Sequence, residues 1–199
     1  MLYTVSDLAP RTESGQTNQP FRVVYCGNLG VGRIVPLVEF ARILHEVDNE
    51  AVFDVYGRFA AQADKDLLCE VPGVNYHGVV AYEAIPDILR QADMVMHCEN
   101  KDRLANLRTA FSTKIADSLA VGTPFLVFAD REYPFVKYLL RNQCAHIAGN
   151  AEELKVVLRQ CRNDLTYRYQ FVENALLTAA ENHSTKGNCR KFNAIIETI

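Results

Sequence analysis

From Phe21 onward the sequence alternates between short runs of β-branched and aromatic residues and longer stretches with helical spacing. This alternation leaves the chain few folds to choose from. "FRVVYCG", "AVFDVYG", "VNYHG", "DMVMHCE", "TPFLVFA" and "CAHIA" read as strands. Between them, "IVPLVEFARILHEV" sets Leu37, Phe40, Ala41 and Leu44 on one helical face, with Pro36 tolerated in the first turn. "AAQADKDLLCE" is a short helix followed by a Pro72-Gly73 turn, and "YEAIPDILRQA" is a helix with Pro86 near its start or at a kink. "TKIADSLAVG" is a helix closed by Gly122, "YPFVKYLLRNQ" is another, and everything from Ala151 onward reads as helix. Continuous apolar strands imply coverage on both faces. The expected fold is therefore α/β, a doubly wound Rossmann-like parallel sheet of about six strands over Phe21–Ala148, with a helical C-terminal tail. Residues 1–20 are polar, hold two prolines and show no period, so they read as a linker or tail, and residues 21–199 as one ligand-binding domain.

Composition narrows the function classes. A net charge of -3 gives no support for nucleic acid as a partner. No apolar run approaches the roughly 18 residues that span a bilayer, and "MLYTVSDLAPRTESGQTNQP" lacks the basic start and apolar stretch of a signal peptide. The six cysteines form no CxxC pair and the five histidines no HxxxH or HExxH. Reduced, buried thiols in a cytoplasmic protein without a metal site are the expectation.

Ligands of such sheets bind at the carboxyl ends of the strands. The first strand-end loop, "YCGNLGVGRI", carries Gly27, Asn28, Gly30, Gly32 and Arg33. Glycines admit a phosphate close to the backbone, though they equally serve a tight turn, and the spacing is not GxGxxG. Arg58, in "YGRF", is a second basic residue for the same crevice or plain surface. Val79, Val80 and Tyr82 form an apolar wall for a flat ring, or pack under the next helix. The stretch "FSTKIADSLAVGTPFLVF" opens a helix with Phe111, Ser112, Thr113 and Lys114. One hydroxyl suffices for an N-cap, and a lysine in the first turn opposes the helix dipole unless an anion sits there. Asp117 lies one turn after Thr113 on the same face, placed either to accept two ribose hydroxyls or to pair with Lys114.

With these residues in view, the chain resembles the C-terminal, donor-binding half of retaining glycosyltransferases of the GT-B fold (the group 1, or family 4-like, enzymes). The resemblance rests on "YCGNLGVGR", "VYG", "VNYHGVV", "IPDILRQADMVMH" and "ADSLAVGTPFL", in that order, over Phe21–Ala148. It implies that Gly27 and its neighbours face a donor diphosphate. Arg33 would bind that diphosphate, and Val79 and Val80 would hold the nucleobase. Asp117, as the second acidic residue of the E-x7-E pattern, would hold the ribose. Phe111, Ser112, Thr113 and Lys114 form a helix start facing the phosphates, similar to the "S-K" form of a bacterial subgroup. The first glutamate of the pattern, which touches the sugar, has no counterpart: Thr109 stands there. Glu99 is acidic and nearby but does not align.

The resemblance implies transfer of a hexose from a nucleoside diphosphate sugar to a glycan or lipid-linked acceptor, as in bacterial polysaccharide biosynthesis. No cofactor or metal is expected, and Arg33 and Lys114 would act as the catalytic cations. The family's N-terminal acceptor domain is not among these residues. The chain is thus expected to be part of a longer enzyme or to act with a partner chain, inactive alone and prone to pair with itself. Peripheral membrane contact belongs to that full-length context. The alternatives are a degenerate binding or scaffold domain, motivated by Thr109, and a nucleotide-sugar epimerase of the same fold.

Overall fold

All six expected strands form, and they pair in one parallel sheet. The computed structural model describes residues 4–11, 17–30, 32–101 and 111–197. The strands are β1 (Arg22–Cys26), β2 (Val52–Tyr56), β3 (Val74–Gly78), β4 (Met94–Cys98), β5 (Phe125–Phe128) and β6 (His146–Ala148). Their order is β3-β2-β1-β4-β5-β6, all neighbours parallel. The chain builds outward from β1 to β3, then returns to place β4 on the other side of β1. That reversal between β1 and β4 is the topological switch point, where a crevice opens beyond the strand ends.

The helices are α1 (Ile34–Val47), α2 (Gln62–Cys69), α3 (Ile85–Arg90), α4 (Thr113–Ala120), α5 (Pro134–Asn142), α6 (Ala151–Asn163), α7 (Leu165–Tyr169), α8 (Val172–Thr178) and α9 (Thr185–Ile196). Strand side chains alternate between two cores. Val23, Tyr25, Phe53, Val55, Met94 and Met96 pack with α1, α2 and α6, whereas Val24, Val95, Phe125 and Val127 pack with α3, α4, α5 and α8. Leu37, Phe40, Ala41 and Leu44 are all buried, as the α1 spacing requires. Each fully buried leucine or phenylalanine among them contributes about 1.5–3 kcal/mol.

Two expectations are refined. β3 is not covered on both faces: it is an edge strand, and Asn75 and His77 alternate outward to solvent. The run Asp164–His183, read as one helix, is broken. Asp164 caps α7 by accepting from Tyr167 N at 3.0 Å, a turn at Gln170–Phe171 separates α7 from α8, and α8 passes into a π-helical turn at Ala179–His183. Gly122 takes φ +76°, the left-handed conformation of a helix C-terminus, as expected.

The described part of residues 1–20 lies along the domain. Ser6 N donates to His183 O (2.7 Å), Arg11 N to Val121 O (2.8 Å) and Asn18 N to Asp93 Oδ1 (2.9 Å). Among the described residues, no helix is long and apolar enough to cross a membrane.

Candidate functional site

The crevice at the switch point is walled by the loop after β1, the end of β4 and the start of α4. Tyr25, fully buried at the end of β1, organises it. Its hydroxyl donates to Asn28 O (2.8 Å) and accepts from Lys114 Nζ (3.0 Å). Burial drives the phenol well above its ordinary pKa, so it stays a neutral hydroxyl. Asn28 shapes the loop by accepting Gly30 N on its own side chain (2.8 Å), an Asx turn.

Lys114 does not pair with Asp117. Its ammonium lies over the Tyr25 ring, 4.9 Å from the centroid, against Gly27. Burial, and then the neighbouring Arg33 charge, lower its pKa from 10.5 to about 8. A Cβ at Gly27 would stand 2.2 Å from Lys114 Nζ, and Gly27 has φ +157°. A side chain at this position would push aside the flexible end of Lys114. Gly27→Ala is expected to displace Lys114 while costing about 1–3 kcal/mol of stability. Thermal melting paired with anion titration checks this; unaltered anion affinity would contradict it.

Ser112 occupies the N-cap position of α4 but makes no side-chain capping bond, contrary to the expected cap; only Ser112 O accepts from Ile115 N (3.0 Å). The first turn of the helix has no acidic residue either. Ser112 and Thr113 line the crevice together with Lys114, an arrangement suited to an anion.

Three recesses meet around Gly27 and Lys114. The largest, about 430 Å³, is mainly apolar and is lined by Gly27, Asn28, Arg58, Phe59, Val79 and Val80 among others. A second, about 200 Å³, adjoins it across Gly27 and holds Tyr82, Thr113, Lys114 and Asp117. Tyr82 thus belongs to this recess rather than to the apolar wall. Its hydroxyl donates to Asp117 Oδ1 at 3.3 Å. Burial raises the Asp117 carboxyl, and the hydrogen bond from Tyr82 opposes that rise. The third, about 290 Å³, shares Asn28, Thr113 and Lys114 with the others and adds Arg33, Glu99, Phe111 and Ser112. Gly30 and Gly32 do not line these three recesses. Thr109 lies outside the described residues.

Arg33 is not directed at open crevice. Its Nε (3.0 Å) and Nη2 both donate to Glu99 Oε1. Sequence reading missed Tyr25, His97 and Glu99 as members of the site. All three stand at strand carboxyl ends, so the rule that led to Gly27 could have found them. Cys26 also lines the crevice, but burial pushes its thiol up to about 12, which leaves it a neutral wall. Among the described residues, no group of three or more His, Cys, Asp or Glu is arranged to hold a metal ion.

This sheet order with a strand-end crevice is the fold of the C-terminal domain of GT-B glycosyltransferases. The C-terminal domain of the glycosyl transferase group 1 family protein LpcC from Francisella tularensis is similar with a TM-score of 0.67 and 15% identity, covering 88% of this chain and 96% of that one. HepE from Anabaena, in complex with UDP-glucose, is similar with a TM-score of 0.68 and 13% identity over 90% of this chain and 49% of that one. A mutant of TarM from S. aureus, in complex with fondaparinux, α-GlcNAc-glycerol and UDP, gives 0.67 and 14% over 96% and 38%. The chain thus spans under two fifths of TarM and about half of HepE. No family model matches the chain, and no curated protein matches it.

Proposed function

We propose that this chain is the nucleotide-sugar-binding half of a glycosyltransferase and, following the resemblance, of a retaining enzyme that transfers a hexose without a metal. The observation that carries the reading is the order of the recesses. An apolar slot adjoins an acidic one across Gly27, and the acidic one contains a cation and a helix start at Lys114. That sequence suits a base against Val79 and Val80, a ribose at Asp117, and a diphosphate at Lys114 and the α4 amides. HepE, with the same fold, binds UDP-glucose, which supports the reading.

In transfer, negative charge develops on the departing diphosphate. Lys114 and the α4 N-terminus are already oriented toward that charge in a partly water-excluded crevice, where fixed charges and dipoles act most strongly. Arg33 adds a second cation whose charge is partly offset by Glu99. The acceptor, and an acceptor-side domain or partner chain, belong to the whole protein, as does any self-association of this half or contact with a membrane surface.

Isothermal titration calorimetry with UDP, GDP and ADP tests the reading. Binding of at least one is expected, in the micromolar range common to such ligands. Binding of none of these, and of none of the corresponding nucleotide sugars, would overturn it and favour a scaffold domain.

A further inference from the structure

The recess beyond Lys114 contains two buried polar side chains for which the nucleotide itself has no use. Glu99, just past the end of β4, is 5% exposed, and His97, inside β4, is 2% exposed. Glu99 Oε1 is taken by Arg33, but Oε2 is buried without a hydrogen-bond partner. His97 Nε2 has only the Glu99 Oε1 atom near it, at 3.4 Å, and that oxygen already accepts from two Arg33 nitrogens. The His97 ring is held edge-on by Phe135, at a centroid distance of 5.5 Å. Buried polar atoms are almost always satisfied, so unpartnered ones in a crevice wall point to a partner supplied by a ligand.

The chemistry of that partner follows from the groups. Burial opposes charge on Glu99, but His97 and Arg33 outweigh it and hold the carboxyl below its ordinary pKa. An ionised carboxylate only accepts hydrogen bonds. A bare terminal phosphate is itself an acceptor with negative charge, so it offers Glu99 repulsion rather than a bond. The recess shares Lys114 and Thr113 with the acidic one, so a diphosphate at Lys114 presents whatever is esterified to its far end to Glu99.

We infer that Glu99, with His97 beside it, takes hydrogen bonds from hydroxyl groups on the far side of the diphosphate. Glu99 thereby favours the esterified donor over the bare nucleoside diphosphate. Glu99 would thus be a specificity-determining residue, supplied from a different element than the helix-preceding segment around Thr109. The inference rests on the donor-site reading above.

Calorimetry with the matched pairs UDP and UDP-glucose, and GDP and GDP-mannose, on wild type and Glu99→Gln tests it. For the pair that binds, the substitution is expected to shift the affinity ratio at least fivefold toward the bare member. Equal weakening of both members would mean that Glu99 only holds Arg33, and an unchanged ratio would mean that it touches no ligand; either overturns the proposal. So would wild type that binds the bare members alone. Wild type that binds no member of either pair is a different result and fails the donor-site reading itself. Should Glu99→Gln not fold, as judged by its thermal melt, His97→Phe keeps the ring and removes the nitrogen. The same direction of shift is expected there, and an unchanged ratio overturns the proposal.

Discussion

Replacing Lys114 by methionine is expected to weaken nucleoside diphosphate binding at least tenfold while leaving the fold as stable as wild type or more so. Methionine fills similar space against Tyr25 and Gly27 but carries no charge. Hydrogen bonds to charged groups contribute about 1.5–3 kcal/mol, and about 1.4 kcal/mol is a factor of ten. The stability half of the expectation follows from burial, which lowers the Lys114 pKa from 10.5 to about 8. Between about pH 8 and 10.5 the unfolded chain binds the proton that the folded chain has released, so the stability of the free protein rises with pH in that window. The methionine variant should lack this rise. Binding of the anion runs the other way: it falls as pH climbs past about 8 and the ammonium is lost. Calorimetry and denaturant midpoints across pH 6.5–9.5 would check both signs. Affinity indifferent to pH and to the substitution would remove Lys114 from the site.

Truncating Arg168 to alanine is expected to cost about 3–5 kcal/mol of folding stability, the loss typical of breaking a buried ion pair. Arg168 is 1% exposed, yet every arm of its guanidinium is engaged. Nη1 donates to Asp93 Oδ1 (3.0 Å), Nε to Cys161 O (2.6 Å) and Nη2 to Thr17 Oγ1 (3.0 Å), and the group lies over the Phe21 ring at 5.0 Å. It thereby joins α7 and the end of α6 to the start of β1, to Asp93 just before β4, and to the N-terminal segment. Removal leaves Asp93, 1% exposed, with the amides of Asn18 and Arg22 but no counter-charge. Urea denaturation would measure the loss, and Arg168→Lys, which keeps charge without the planar fork, should fall between. A loss under about 1 kcal/mol would show that the pair can relax into solvent, against the desolvated geometry.

Much of this architecture was legible because it is written locally. Short runs of β-branched and aromatic residues marked every strand, α1 declared its buried face through Leu37, Phe40, Ala41 and Leu44, and Gly122 marked the end of α4. Strand-end reasoning also located both the Gly27 loop and the Ser112–Lys114 helix start. The local signals failed where neighbours decide the outcome. Grouped by sequence with the covered strands, β3 lies at the sheet edge, where Asn75 and His77 alternate with Val74 and Tyr76, and the helical run after Asp164 carries no strong breaker at Gln170–Phe171.

The site's internal pairing was not written locally at all. Arg33 meets Glu99 across 66 residues, and Lys114 meets Tyr25 across 89. Both pairs exist only because β4 inserts beside β1, a choice of strand order made by packing two helical layers rather than by any segment's own pattern. From its own residues the sequence determined the class of fold, the order of its elements and the loops that carry the chemistry. Only the tertiary structure decided that Lys114 rests on Gly27 and Tyr25, that Arg33 is bound to a carboxylate, and that Glu99 is buried in the wall of a recess it shares with Lys114. The physical reason is that apolar periodicity specifies which face a residue buries, whereas contact between side chains tens of residues apart is fixed by the register of the assembled sheet.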